Sequence, residues 1–505
     1  MIRERRRHAA LATLTGTGLT VCITVAQAFL LVPLCLSHLG AALYGAWRGA
    51  FELLVWVQLL DCGIPNLLTQ RVAAALARGD QADAARWTST AMTTLVVIAC
   101  LLAFAGALIA PFVGRWVDVP HDQAATFMRC FQVGVLASAV LLVFNGLLGL
   151  SRGVQLTALV NVSQVAGGLA GLLVSIVLLI KGWGLWALPI GLLVRALSSL
   201  AGGIVFLWRL PRDRGGRIVR PSRALAGEIM SLAPSMASGS VGYLLANNSE
   251  IFLVATIFGP VTATMYALTR SAIDGLRNLL DSFAWAVYGG FSHLVTAVDR
   301  HRARAVLHEV LWLRFAAGCL CGAIAIAVNR AFVTLLFGAD HFGGVWLTVG
   351  FALQMVVGGQ AFLANFLYRA AGHVGEGSLW LAAEAVARVA AMLAGFFLIG
   401  ILGAPWAAVV VSTAALLVMT RLLNRTLPPS DVRAAAGHWT NQVAPLVVLA
   451  FGVAVALTGP SHSWIGIVAT GTVVALLGGG LLWVMVPASS GIGALPRWLS
   501  SPMGR

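Results

Sequence analysis

The sequence predicts an all-α integral membrane protein of about fourteen transmembrane helices, and three observations carry that expectation. First, 59% of the 505 residues are hydrophobic and only 10% are charged, against about 25% charged in a soluble protein; mean hydropathy is +0.90. Second, apolar stretches recur along the whole chain, many near or above the ~18–20 residues that span a bilayer. Third, the basic residues are distributed asymmetrically between those stretches. This composition excludes a large soluble helical protein.

Taken in order, the first span runs from about Leu11 to Ser37 and is too long for a cleaved leader, so it reads as a retained helix. The next five centre near Leu59, Ile98, Leu141, Leu172 and Leu197. Six more centre near Gly239, Leu280, Ala317, Val357, Ala390 and Ala415, and a final pair near Leu449 and Ala475. Lys181 is the sole lysine, so basicity here is carried by arginine. Arginines cluster at Arg3, Arg5, Arg6 and Arg7, at Arg71, Arg78 and Arg86, through Arg209, Arg212, Arg214, Arg217, Arg220 and Arg223, and at Arg300, Arg302 and Arg304. The alternate loops hold only Arg115, Arg129, Lys181 and Arg330. That is the positive-inside pattern: an even helix count puts both termini and every cluster on the cytoplasmic side of a multi-pass protein of the cytoplasmic (inner) membrane. Basicity therefore reports topology and contact with anionic membrane lipids, and argues against nucleic acid.

Internal similarity divides the chain. Tyr44, Arg48 and Glu52 in LYGAWRGAFELL match Tyr266, Arg270 and Asp274 in MYALTRSAIDGL; Asn145 matches Asn365, and the Gly184–Trp186 stretch resembles Gly403–Trp406. The offsets stay near 220 residues, so the expected plan is two parallel six-helix bundles with two helices added. Residues 1–208 form the N-terminal bundle, 209–224 an arginine-rich cytoplasmic linker, and 225–424 the C-terminal bundle. A second cytoplasmic linker follows at 425–441, then helices 13 and 14 at 442–486, and a cytoplasmic tail at 487–505.

The chemistry-bearing residues lie inside the spans. Arg270, Asp274, Arg277 and Asp281 follow i, i+4, i+7, i+11 spacing and share one helical face. Each would cost about 2.5–3.5 kcal/mol facing lipid, so the stripe faces protein or a wet cavity. The spacing pairs Arg270 with Asp274, Arg277 with Asp281, and Arg48 with Glu52. Such pairs either stabilise the helices or exchange partners when an anion arrives, and guanidinium forks suit phosphate oxygens. Glu250 and Asp61 are candidate ion-coupling carboxylates, Asp61 alternatively bridging a helix break before Gly63 and Pro65. Asn145 and Asn365 are candidate glycan contacts or interhelical hydrogen bonders. Arg195, Arg314, Glu384 and Arg388 read as interhelical partners or headgroup anchors. The seven cysteines show no paired spacing and the ten histidines no His-Glu-x-x-His, so no metal, cofactor or disulfide framework is expected.

Across LSHLGAALYGAWRGAFELLVWVQLLDCGIPNLLTQRVA the chain resembles the polysaccharide-transporter branch of the multidrug/oligosaccharidyl-lipid/polysaccharide exporter superfamily, through Leu39-Gly40, Tyr44-Gly45-x-Trp47 and Leu60-Asp61-x-Gly63. The basic loop ARGDQADAAR fits as well, as does FGPVTATMYALTR in the second half. The resemblance implies two bundles around a central cavity with alternating access. It also implies arginines that meet the pyrophosphate of a polyprenyl-linked glycan such as an O-antigen, exopolysaccharide or capsule unit. Arg48, Glu52, Arg270, Asp274, Arg277 and Asp281 are then the substrate-binding set. The seventh span departs from the family: Asn247, Asn248, Ser249 and Glu250 stand where many members carry an aspartate. A proton or sodium gradient and other polysaccharide assembly proteins are the expected partners. The alternative is a cation-coupled antiporter of drugs or metabolites, which needs fewer cavity arginines and twelve helices. No catalytic residues are expected: the outer loops are too short for a glycan-handling enzyme, and the sequence has no nucleotide phosphate loop.

Overall fold

The computed structural model describes residues 27–59, 61, 63–211, 219–231, 242, 245, 247–296, 300–426, 432–458 and 463–485. These residues are helical apart from short connections, and none of them is in a strand. Nine helical segments among them are long and apolar enough to cross a membrane. Where the chain is described they follow predicted spans, while residues 1–26, most of the predicted first span, lie outside the described residues.

The chain parts into two compact units between Ala267 and Leu268. The first begins with α1 (Val32–Leu59), α2 (Ile64–Ala77), α3 (Gln81–Trp116) and α4 (Ala124–Gly153). It continues through α5 (Ala158–Ile180), α6 (Ala187–Arg209) and α7 (Glu250–Phe258), and α8 (Pro260–Thr296) crosses the boundary. The second holds α9 (Arg300–Phe337), α10 (Val345–Leu353), α11 (Gly359–Ala370), α12 (Val374–Ile399) and α13 (Gly403–Thr426). The appended pair is α14 (Val432–Thr458) and α15 (Trp464–Met485). A π-helical stretch, Gln354–Gly358, joins α10 to α11.

Gly40 interrupts α1 with φ 74 and ψ 166, so the first and second spans meet there. Gly259 has nearly the same conformation (φ 85, ψ 167) at the start of α8, the matching helix of the second half. The connections before α6 and α13 are both single 3-10 turns, Gly184–Trp186 and Gly400–Leu402. The Gly403–Trp406 stretch matched to Gly184–Trp186 in the sequence is itself the first turn of α13, so the second 3-10 turn lies just before it.

The second span is broken once more, between α1 and α2. Gly63 takes φ 71, Pro65 follows in the first turn of α2, and the Asp61 carboxylate accepts the Gly63 amide at 2.9 Å. Proline is tolerated there because its missing N–H would have had no intrahelical partner. At α3 the Asp80 side chain caps the helix by accepting the Asp83 amide at 2.9 Å.

Each unit builds its own core. In the first, Leu68, Leu95, Leu142 and Phe144 interlock α2, α3 and α4. Helices α5 and α6 approach backbone to backbone across Gly167, Gly171 and Ser175 on one side and Gly191, Ser199 and Gly202 on the other. In the second, Leu307, Leu363, Leu367 and Met419 join α9, α11 and α13, while Ala316, Ala323, Val448 and Val474 hold α14 and α15 onto α9.

The described end of the arginine-rich linker docks on the first unit. Ser89 Oγ accepts the Val219 amide and Thr90 Oγ1 the Ser222 amide, each at 3.0 Å, and Arg71 pairs with Glu228 at 2.6 Å. Arg3, Arg5, Arg6, Arg7, Arg212, Arg214 and Arg217 lie outside the described residues. So do most of the seventh span around Gly239, residues 427–431 of the second linker, and the tail from 486 onward.

Gly45 and Gly49 form a Gly-x-x-x-Gly face that lets α1 press on α7 and the start of α8. A Cβ at Gly45 would collide with the Pro260 carbonyl, and one at Gly49 would stand 2.8 Å from Ala255 Cβ. Gly45→Ala is expected to cost about 1–3 kcal/mol as an overpacking substitution. Gly275→Ala, at a helical site with open space around it, should be neutral or better. Thermal unfolding in detergent separates the two.

Candidate functional site

In the first unit the candidate residues gather where α1 meets the start of α7. Glu52, only 4% exposed, accepts the Phe252 amide through Oε2 at 2.9 Å. That amide belongs to the first turn of α7, whose N-cap Ser249 makes no side-chain capping bond. A carboxylate in this position satisfies an orphan donor and opposes the positive helix end. One turn along α1, Trp56 donates its indole N–H to the Asn248 carbonyl at 2.8 Å. The departure at Asn247–Glu250 is therefore the point where α1 grips α7. Glu52→Ala should cost about 1–2 kcal/mol, as loss of a helix cap does, with Glu52→Gln intermediate in the same melting assay.

The expected pairing of Arg48 with Glu52 does not form, because Glu52 is turned onto α7. Arg48 is half-buried, its guanidinium 5.7 Å from the centroid of the Phe51 ring, and no carboxylate of the described residues pairs with it. Arg195 on α6 is also half-buried without a carboxylate among the described residues, its Cβ set against Gly171. The sequence reading treated Arg195 as an interhelical partner or a headgroup anchor. The signal available was its isolation: no acidic residue lies three or four positions away.

Glu250 is fully buried and accepts a hydrogen bond from Tyr266 Oη at 2.9 Å. Tyr266 is itself completely enclosed. Asp61 is occupied at the α1–α2 break, as described above.

In the second unit the α8 stripe is assembled, with one change of partner. Arg270, 3% exposed, donates Nε–H to Asp274 Oδ1 at 2.8 Å, as its spacing predicts, and lies 6.0 Å from the centroid of Phe351. Arg277 does not pair with Asp281. It reaches back to Asp274 Oδ1 at 3.2 Å, because Asp281 is taken from the neighbouring helix by Arg314, also at 3.2 Å. Asp274 thus sits between two guanidiniums. Two arginines sharing one carboxylate can release donors to an incoming anion without leaving a bare charge behind.

The two asparagines are not equivalent. Asn365 is buried and donates Nδ2–H to the Gly377 carbonyl at 2.8 Å, an interhelical bond. Asn145 is half-buried and its side chain makes no hydrogen bond among the described residues. Glu384 and Arg388 pair at 2.9 Å as expected, and Ser412 on α13 joins them. Among the described residues no group of three His, Cys, Asp or Glu side chains could hold a metal ion.

The sequence family described as polysaccharide biosynthesis protein matches residues 13–288, more than half of the chain. No curated protein matches in sequence. Among solved structures, the chain is similar to the lipid II flippase MurJ in an inward closed conformation, at 10% identity and a TM-score of 0.67, over 94% of this chain and 98% of that one. It is similar to a Vibrio cholerae MATE transporter at 13% identity and 0.60, over 84% and 98%. A multidrug resistance MATE family transporter of the MOP superfamily, inward-facing, matches at 14% and 0.57, over 81% and 94%. At these identities the likeness establishes a shared fold.

Proposed function

The chain belongs to the polysaccharide biosynthesis protein family, and from that membership we propose that it is a flippase, carrying a polyprenyl-pyrophosphate-linked oligosaccharide across the cytoplasmic membrane by alternating access. The cargo class is an O-antigen, exopolysaccharide or capsule repeat unit. The chain acts as a transporter and not as an enzyme. Both termini lie in the cytoplasm, and the arginine-rich loops contact anionic headgroups.

The observation that carries this reading is Arg48: a half-buried guanidinium on an apolar helix with no carboxylate partner among the described residues. An intramembrane cation is costly and needs an anionic counterpart. A pyrophosphate that visits and leaves supplies one, where a permanent ion pair would not. Arg270 and Arg277, sharing Asp274, are the second half of the headgroup site, and alternating access would bring both halves to one cavity. Glu52 and Asp281 shape the walls of that cavity. Glu250, held by Tyr266, is the candidate for proton or sodium coupling; Asp61 is committed to the helix break and is the weaker candidate. Asn145, with its amide uncommitted among the described residues, is better placed to meet sugar hydroxyls than Asn365.

The fold is shared with MATE transporters, so an antiporter of drugs or metabolites is the competing reading. Deletion of the gene followed by lipid analysis separates them. The flippase reading expects a polyprenyl-linked glycan to build up on the inner leaflet and surface glycan to disappear. Unchanged glycan lipids with increased drug sensitivity would replace it with the antiporter reading.

A further inference from the structure

The connection between α9 and α10, residues 338–344 (GADHFGG), is folded in against the N-terminal third of α8, at Thr269. It begins and ends on glycines in the same left-handed region, Gly338 at φ 101 and Gly344 at φ 100, a conformation other residues rarely adopt. Ala339 and Asp340 at its tip are exposed, whereas His341, Phe342 and Gly343 are half-buried.

A closed set of hydrogen bonds holds this segment. Thr269 Oγ1 accepts the Gly343 amide at 2.9 Å and donates to the His341 carbonyl at 3.5 Å, clasping the chain on both sides of Phe342. Asn329 on α9 donates Nδ2–H both to the Thr269 carbonyl, at 2.9 Å, and to Thr348 Oγ1, at 3.1 Å. Thr348 in turn donates to the Gly344 carbonyl at 3.1 Å. Thr269, Asn329 and Thr348 are all buried. The next residue along α8 is Arg270, whose guanidinium lies near Phe351 on the helix this segment leads into.

The clasp is incomplete. Asn329 Oδ1 and His341 Nδ1 are buried and make no hydrogen bond within the described chain. Two glycine hinges and a small set of bonds from the Thr269 and Thr348 hydroxyls together describe a segment that can open, rather than a fixed turn.

We propose that residues 338–344 are a hinged strap, latched by Thr269 and Asn329, whose release opens the outward path beside Arg270. Its outward position rests on the topology given under Proposed function; its latch rests on the hydrogen bonds alone.

The test uses the full-length protein with its native cysteines replaced and a single reporter, Phe342→Cys, in intact cells treated with a membrane-impermeant maleimide. Adding Thr269→Val, which removes the hydroxyl and keeps the shape, should speed labelling about tenfold, the shift expected from losing two ordinary hydrogen bonds. Thr269→Ser should restore the slow rate. Hydrogen–deuterium exchange of residues 338–344 in Thr269→Val, without the cysteine, should rise in parallel, and covers the case where the reporter disturbs folding. Equal labelling and equal exchange in the Val, Ser and parent proteins would overturn the latch. Oxidising a Thr269→Cys, Gly343→Cys pair should stop glycan export, with recovery on reduction. Export that continues while the bond is intact would overturn the strap's role in release. The labelling result judges the latch whatever the cargo, so its failure is distinct from failure of the flippase reading.

Discussion

Arg48→Ala should abolish glycan export while leaving the protein folded and inserted. The substitution removes a half-buried guanidinium that holds no structural ion pair among the described residues, so little of the fold depends on it. A bidentate charge-assisted contact to phosphate contributes about 2–3 kcal/mol, equivalent to ~30–150-fold in affinity. Arg48→Lys keeps the charge but loses the planar fork, and should fall between the two. Arg270→Ala should also stop export, although it also removes one of the two arginines on Asp274 and should lower stability, which makes Arg48 the cleaner probe. The measurement is surface glycan in a deletion strain complemented with each variant, normalised to the amount of monodisperse protein extracted from membranes. Export by Arg48→Ala at the wild-type level would remove Arg48 from the substrate site.

The helices were legible because a bilayer leaves a sequence little choice: spans must be apolar, of set length, and separated by loops of biased charge. The centres read near Ile98, Leu197, Ala317 and Val357 fall within a residue or two of the midpoints of α3, α6, α9 and the α10–α11 span. The break at Asp61–Gly63–Pro65 was legible for a different reason, since a short acceptor, a glycine and a proline in that order suit a helix stop and restart. Partner choice inside the spans was less so. Spacing along one helix pairs Arg270 with Asp274 correctly. It fails for Glu52 and Asp281, each of which is claimed from another helix: Glu52 by the first turn of α7, Asp281 by Arg314. An i, i+4 rule counts only neighbours on the same helix, and a polar side chain in a membrane protein takes whatever donor packing brings nearest. The clasp on residues 338–344 was invisible for the same reason, since Thr269, Asn329 and Gly343 are brought together only by the fold.

Arg314→Ala should be the most destabilising single substitution among the intramembrane charges. Arg314 is 1% exposed and its partner Asp281 13% exposed, so neither can turn to water when the other is lost. The guanidinium also packs along its own helix, where a Cβ at Gly318 would stand 3.0 Å from Arg314 Nη1, and against the helix restart after the π-helical stretch, where one at Gly359 would collide with Nη2. Removing one partner of a buried pair costs about 3–5 kcal/mol, because the remaining charge stays desolvated, and truncating the long side chain adds a void. Arg314→Met refills most of that volume but strands Asp281, so it should still be unstable. Combining Arg314→Met with Asp281→Asn removes both charges and should recover much of the loss, since a buried pair replaced as a unit is often close to neutral. The contrasting pair, Arg277→Met with Asp281→Asn, should show no such rescue, because Arg277 is bonded to Asp274. Thermal unfolding of the four proteins in detergent decides the matter: rescue by Arg277→Met in place of Arg314→Met would restore the pairing that spacing alone suggests and would free Arg314 to act elsewhere.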